Sequence, residues 1–200
     1  FFGYKTGGVN PETGELIYLD TNDDGEVTAN DRTYMGDPNP DFTFGMTNTF
    51  QFYGVTISFL LQGSYGNDIF NASRIETEGM YDAKNQSIRV LDRWRRPGMV
   101  TSIPKAGFDM KVSDYFVEDG SYIRLKDLTI GYEFSGNWMK KIGMTRLQPY
   151  FSAQNLFTLT KYLGMDPEVN QYGNSGTVQG LDYGTYPQTR SFVLGVNIAF

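Results

Sequence analysis

The 200-residue chain carries 17 Lys plus Arg against 23 Asp plus Glu, a formal net charge of −6, which argues against the clustered basic surface of a nucleic-acid binder. It contains no His and no Cys, which removes Ser-His and Cys-His nucleophiles, Cys/His zinc sites and any disulfide framework. Aromatic residues make up 16 % and Gly contributes 23 positions, yet mean hydropathy is −0.40 and no apolar run approaches the ~20 residues of a membrane-spanning helix. Such a chain is either a soluble all-β domain or one that hides its apolar half by alternation.

The chain opens Phe1-Phe2-Gly3-Tyr4-Lys5, with no initiator Met, basic n-region or apolar signal core. A piece of a longer chain or a processed product is therefore expected. Next comes an acidic segment, residues 20–31. Counted from Asp20, side-chain oxygens fall at positions 1 (Asp20), 3 (Asn22), 5 (Asp24) and 12 (Asp31), with Gly25 at 6. An EF-hand-type loop uses that spacing, because a glycine turn brings alternate side chains and one backbone carbonyl, here that of Glu26, around a hard cation. Asp31 replaces the usual bidentate Glu, as in dockerin-like loops. Calcium bracing the loop is one expectation; a solvated acidic turn sharing the pattern is the other.

Residues 42–53 place Phe42, Phe44, Met46, Phe50 and Phe52 on one face, broken only by Asn48. After a tight Tyr53-Gly54 turn, Val55, Ile57, Phe59 and Leu61 share one face of residues 55–65. The connection 67–120 is too long for an idle loop. Within it, Trp94 is flanked by Arg93, Arg95 and Arg96. It is a candidate to stack on a sugar or dock a lid protein, or it packs into the loop's own small core.

Residues 122–134 end with Leu128, Ile130, Tyr132 and Phe134 in phase, whereas Ile123 and Leu125 have the opposite parity; a β-bulge near Lys126-Asp127 would repair the slip. Residues 136–143 read as a helical turn in which Trp138 and the lysines act as interfacial anchors. The run 146–156 is weaker, and Pro149 within it predicts an edge strand. In the last long loop, 157–188, Tyr162, Tyr172, Tyr183 and Tyr186 are candidate stacking platforms for sugars or peptides. The chain closes with Phe192, Leu194, Val196, Ile198 and Phe200 on one face, the ending of a transmembrane barrel strand.

Soluble strands usually have about 5–6 residues; runs of about 12 at ~3.3 Å each, tilted near 45°, cross a bilayer. The connections alternate short and long in strict parity, as in outer-membrane barrels with short periplasmic turns and long outer loops. That parity puts the C-terminus in the periplasm and the 20–31 loop outside. The expected fold class is all-β, an antiparallel transmembrane β-barrel of which five strands are present, too few to close.

Several blocks then resemble the C-terminal third of SusC/RagA-type TonB-dependent outer-membrane transporters. They are Gly36-Asp37-Pro38-Asn39-Pro40-Asp41-Phe42, Leu61-Gln62-Gly63-Ser64-Tyr65-Gly66-Asn67-Asp68-Ile69-Phe70-Asn71, Glu118-Asp119-Gly120-Ser121-Tyr122-Ile123-Arg124-Leu125-Lys126, Ala153-Gln154-Asn155-Leu156-Phe157-Thr158 and Asp182-Tyr183-Gly184-Thr185-Tyr186-Pro187-Gln188-Thr189-Arg190. The resemblance implies a 22-stranded barrel with an N-terminal plug and a TonB box, importing glycans or peptides across the outer membrane of Gram-negative Bacteroidetes. It also implies a SusD-like lipoprotein partner and coupling to the TonB complex through an N-terminal part that has no counterpart in these 200 residues. The aromatic Phe200 resembles the assembly signal of such barrels. Adjacent acids such as Asp23-Asp24 and Glu118-Asp119 diverge or share solvent, and no enzyme is expected. The other function class is a calcium-stabilised surface adhesion or interaction module built on a soluble β-sheet.

Overall fold

The structure is a computed structural model that describes residues 1–169 and 178–200, with Lys140 described through its backbone alone. In chain order the strands are β1 (Phe2–Gly3), β2 (Thr6–Val9), β3 (Leu16–Tyr18), β4 (Thr33–Tyr34), β5 (Phe42–Phe52), β6 (Val55–Tyr65), β7 (Asp68–Asn71), β8 (Val117–Asp119), β9 (Tyr122–Tyr132), β10 (Arg146–Thr160), β11 (Leu181–Asp182) and β12 (Ser191–Ala199). Two short helices are α1 (Ser73–Glu78) and α2 (Asn137–Lys141). The chain divides into two compact units. A sheet unit holds Asp41–Gly66, Gly120–Lys161 and Pro187–Phe200, and a loop unit holds Phe1–Pro40, Asn67–Asp119 and Tyr162–Tyr186.

The sheet unit is one five-stranded sheet in the order β12-β10-β9-β6-β5, antiparallel at every step. Its first hairpin turns at Tyr53 and Gly54, with φ of 45° and 83°. Two successive left-handed residues make the turn whose twist matches the flanking strands. The register gathers the alternating apolar residues into rows. Phe50, Ile57, Ile130, Phe151 and Leu194 cross all five strands in one row. Asn48, Phe59, Leu128, Ala153 and Phe192 make the next, with Asn48 the polar exception. Along β10 this face runs from Leu147 to Leu159, ~40 Å of strand and ~28 Å of height at a 45° tilt, matching the ~25 Å apolar band of membrane barrels.

The parity slip anticipated near Lys126 is present, and β10 beside it carries extra residues as well. Between the Phe59–Leu128–Ala153 row and the Leu61–Leu125–Phe157 row the chain takes two steps on β6, three on β9 and four on β10. Lys126 is the extra residue of β9, and on β10 the irregularity includes Asn155 at φ 50°. Bulges of this kind bend a strand and increase its twist, which is what a curving wall requires.

Pro149 does not mark an edge: β10 lies between β9 and β12. The Phe134 N–H donates to the Leu147 carbonyl, so odd-numbered main-chain groups of β10 face β9. The missing N–H of Pro149 therefore falls opposite Tyr132, in the gap before the ladder resumes at Tyr150–Gly131. β10 also extends to Thr160, beyond the expected end at 156. The anticipated helical turn is α2. In the 67–120 connection the helical segments are α1 and two 3-10 turns, at Ile88–Asp92 and Asp114–Phe116.

The loop unit is built from short pairings. β1 pairs with β4 and β2 with β3, while β7 lies between β8 (antiparallel) and β11 (parallel). Its core gathers Met35, Phe70, Ala72 and Phe116, with Phe1, Ile75, Met110 and Leu181 packed against them. Contributions from all three of its segments make this a folded unit rather than a set of independent loops. Six-residue α1 has no side-chain N-cap bond, and so short a helix depends on tertiary contacts. Buried Arg74 and Glu78 supply them.

Candidate functional site

The face of the sheet opposite the apolar rows is polar. Thr49, Ser58, Thr129 and Ser152 form one row across four strands. Thr49 Oγ1 and Ser58 Oγ lie 3.1 Å apart, and Thr129 Oγ1 donates to Ser152 Oγ at 3.1 Å. A second row holds Gln62, Arg124 and Thr158. Arg124 is 1 % exposed; its Nε donates to Thr158 Oγ1 at 2.8 Å, and its guanidinium lies 5.5 Å from the Tyr122 ring centre. Aromatic pairs border the apolar face at the turn end, where Tyr132–Phe134 centroids are 4.8 Å apart and Phe52–Tyr53 4.3 Å.

The loop unit holds a buried charge network. Arg74 Nη2 donates to Glu78 Oε2 at 3.0 Å, while Nη1 reaches the Tyr115 carbonyl at 2.7 Å and Glu118 Oε1 at 3.1 Å. The Tyr115 hydroxyl donates to Glu78 Oε2 at 2.9 Å, and burial, then the Glu78 carboxylate, push its phenol well above the ordinary value. Glu118 Oε2 accepts from the Leu163 N–H at 2.9 Å. The Tyr162 hydroxyl donates to Asp182 Oδ2, whose other oxygen accepts from the Thr185 N–H at 2.9 Å. Beside this network lies a cavity of about 400 Å³ whose wall includes Asn71, Arg74, Glu78, Arg89, Met165 and Asp182.

The acidic loop is closed on its own main chain. Asp20 Oδ2 accepts from Gly25 N–H at 2.8 Å, Asn22 Oδ1 from Asp24 N–H at 3.1 Å, and Asp24 Oδ1 from Glu26 N–H at 3.0 Å. Asp31 is buried, with Oδ1 on Thr21 N–H and Oδ2 on Thr28 N–H at 2.8 and 2.7 Å. The Thr28 amide, outweighing the opposing effect of burial, holds the Asp31 carboxyl below the ordinary value with the help of Thr21. Asp31 is also the third residue of a capping box with Thr28. The spacing fits calcium, whereas among the described residues no three acidic side chains are grouped to hold a metal ion.

Trp94 is pinned to the 10–15 turn: Nε1 donates to the Pro11 carbonyl at 2.7 Å, and a Cβ on Gly14 would meet the indole at 2.4 Å. Arg93 and Arg95 bond the carbonyls of Val90 and Leu91. Tyr162 is buried, whereas Tyr183 and Tyr186 are exposed, with Tyr183 Oη 3.3 Å from Glu76 Oε1. Tyr172 lies outside the described residues. Phe200 is 84 % exposed. Asn71 and Asp182 fall within blocks of the resemblance, whereas Arg74, Glu78 and Arg89 lie outside every motif of the sequence. Only the i,i+4 spacing of Arg74 and Glu78 offered a local signal.

No family model matches the chain. It is 32 % identical to the TonB-dependent receptor P3 of Formosa agariphila over 220 aligned residues, covering 100 % of this chain and 22 % of that protein. The chain is homologous to a C-terminal part of SusC/RagA-type TonB-dependent receptors. With SusC of Bacteroides thetaiotaomicron the identity is 27 %, over 93 % of the chain and 18 % of SusC. The solved structure of the RagAB peptide transporter superposes with a TM-score of 0.85 at 22 % identity, covering 100 % of this chain and 22 % of that one. The chain thus spans about a fifth of the length of the curated receptors it matches, and its sheet is a segment of barrel wall.

Proposed function

We propose that this chain forms wall and outer-mouth loops of a TonB-dependent importer of glycans or peptides in the outer membrane of a Gram-negative bacterium. The supporting observation is a sheet with one apolar face of bilayer height and one hydroxyl- and amide-rich face, in a chain homologous to TonB-dependent receptors. The apolar face meets lipid, the polar face lines the path, and the loop unit lies extracellularly. A SusD-like lipoprotein is the proposed lid, and the TonB complex supplies the drive through chain outside these residues. Nothing in this role calls for catalysis.

Fractionation tests the proposal. The protein should float with outer membranes and need detergent to stay in solution. A detergent-free monomer with one cooperative unfolding transition would instead favour the calcium-stabilised surface module.

Calcium bracing of residues 20–31 is a separate part of the proposal. Millimolar calcium should raise the melting midpoint, since a ligand bound only by the folded state stabilises it by mass action. An Asp20→Ala/Asp24→Ala variant should show no such rise; equal midpoints in calcium and in chelator for the unmodified protein would remove calcium from the account.

A further inference from the structure

Two apolar rows of the sheet unit leave a trough between them. One wall is Ile130, Phe151 and Leu194, which follow one another across β9, β10 and β12. The other wall is the next row towards the Tyr53-Gly54 turn. There Val55 pairs with Tyr132 across β6 and β9, and Pro149 pairs with Val196 across β10 and β12. The floor is the main chain of Gly131, Tyr150 and Gly195; these have the opposite parity, so the Tyr150 ring lies on the far side of the sheet. Val55 and Val196 are short, and the Pro149 ring is tied back to its own nitrogen, so this wall is low where the first is tall. The trough encloses about 550 Å³ and is open on its outer side.

We propose that the trough seats one acyl chain of an anionic phospholipid from the leaflet that meets the short turns. This rests on the importer proposal, which sets the apolar face against lipid, and adds one lipid held at a fixed place on it. Val55 is the first residue of β6 after the turn, so the trough lies at the headgroup end of the apolar face. From its Tyr132 wall aromatic rings step outward: Tyr132 to Phe134, then Phe134 to Trp138 with centroids 6.3 Å apart. Trp138 belongs to α2 and is exposed, as is Lys141. Residues 134–145 contain Lys140 and Lys141 and no acidic residue, and the neighbouring Glu133 is paired with Arg146 at 3.2 Å. An indole with a polar tip and a cation without a carboxylate beside it, at the end of an apolar trough, match a phosphate at the head of a fatty chain. Within a bilayer the hydrophobic effect does not tell one apolar surface from another. A lipid stays only where its chain packs closely and its headgroup is held. The trough supplies the packing and Lys141 the charge.

Native mass spectrometry of the protein extracted from outer membranes tests it, after delipidation in detergent and reloading with phosphatidylglycerol or, separately, phosphatidylcholine of the same chains. A complex with one phosphatidylglycerol should survive, at least fivefold more abundant than the phosphatidylcholine complex. Val196→Trp fills the trough from a residue 56 % exposed, and Leu159→Trp adds the same bulk to the apolar face outside it, from a residue 63 % exposed. Val196→Trp should cut retention at least fivefold, and Leu159→Trp should leave it unchanged. Lys141→Glu should abolish the preference for phosphatidylglycerol. A protein that carries detergent only, equal retention of the two lipids by the unmodified protein, or equal retention by the two tryptophan variants would each overturn the proposal. Flotation with outer membranes is read separately: protein that floats but keeps no lipid fails this inference alone, and protein that does not float fails the importer proposal.

Discussion

Tyr150 of β10 lays its ring over Gly195 of β12: a Cβ built on Gly195 would lie 2.4 Å from the ring. The two are direct cross-strand partners, and Gly131 stands opposite Tyr150 on β9. A large side chain flanked by two glycines fills the space that neither glycine occupies. Gly195→Val should force the ring away and destabilise the protein by about 1–3 kcal/mol, the usual cost of overpacking. Adding Tyr150→Ala should recover part of that loss in a double-mutant cycle read by denaturant unfolding in micelles. Simple additivity would show that the contact carries no energy.

The Arg74–Glu78 pair should matter far more than its exposed neighbour. Side-chain exposure is 9 % and 1 % for Arg74 and Glu78, against 58 % and 43 % for Lys84 and Glu76. Removing one member of a buried pair strands the other charge and costs about 3–5 kcal/mol. Glu78→Gln should therefore expose the loop unit to protease, whereas Lys84→Gln should leave cleavage unchanged. Equal sensitivity in the two variants would contradict the buried network.

Acid should loosen the 20–31 loop. The Asp31 carboxyl titrates below its unfolded-state value, so its contribution to stability is present above the unfolded pKa of ~3.9. That contribution is lost as pH falls through the lower, folded pKa. Hydrogen exchange at the Thr21 and Thr28 amides should accelerate over that interval, relative to the intrinsic rate, and be fast at neutral pH in Asp31→Ala. A protection profile flat from pH 6 to pH 2 would contradict it.

Phe200 projects beyond Ala199, the last residue of β12, and is 84 % exposed. Deleting it should lower the amount of assembled protein at the cell surface without changing the stability of what does assemble. Undiminished surface levels would separate this residue from assembly.

The sheet unit was legible because its rule is local: side chains alternate, and a bulge appears as a change of parity, as at Lys126. β10 was cut short for the same reason. Asn155 places a polar residue where an apolar one is due and Leu156 does the reverse, so a bulge looks like a strand end. Pro149 misled because its tolerance depends on which neighbour its missing N–H faces. The loop unit was largely illegible. Arg74 meets Glu118 across 44 residues and Tyr162 meets Asp182 across 20, with no periodicity linking them. Trp94 shows the same limit, since its partner carbonyl at Pro11 is 83 residues away.

The central claim is that alternate residues of one strand meet lipid and water. The chain has no Cys, so single-cysteine variants of the protein reconstituted in bilayers report one position each. Labels at Leu194→Cys and Val196→Cys should be quenched by brominated lipid tails, and Val193→Cys and Asn197→Cys should react with a water-soluble maleimide. Equal water reactivity at all four positions would contradict the barrel-wall account.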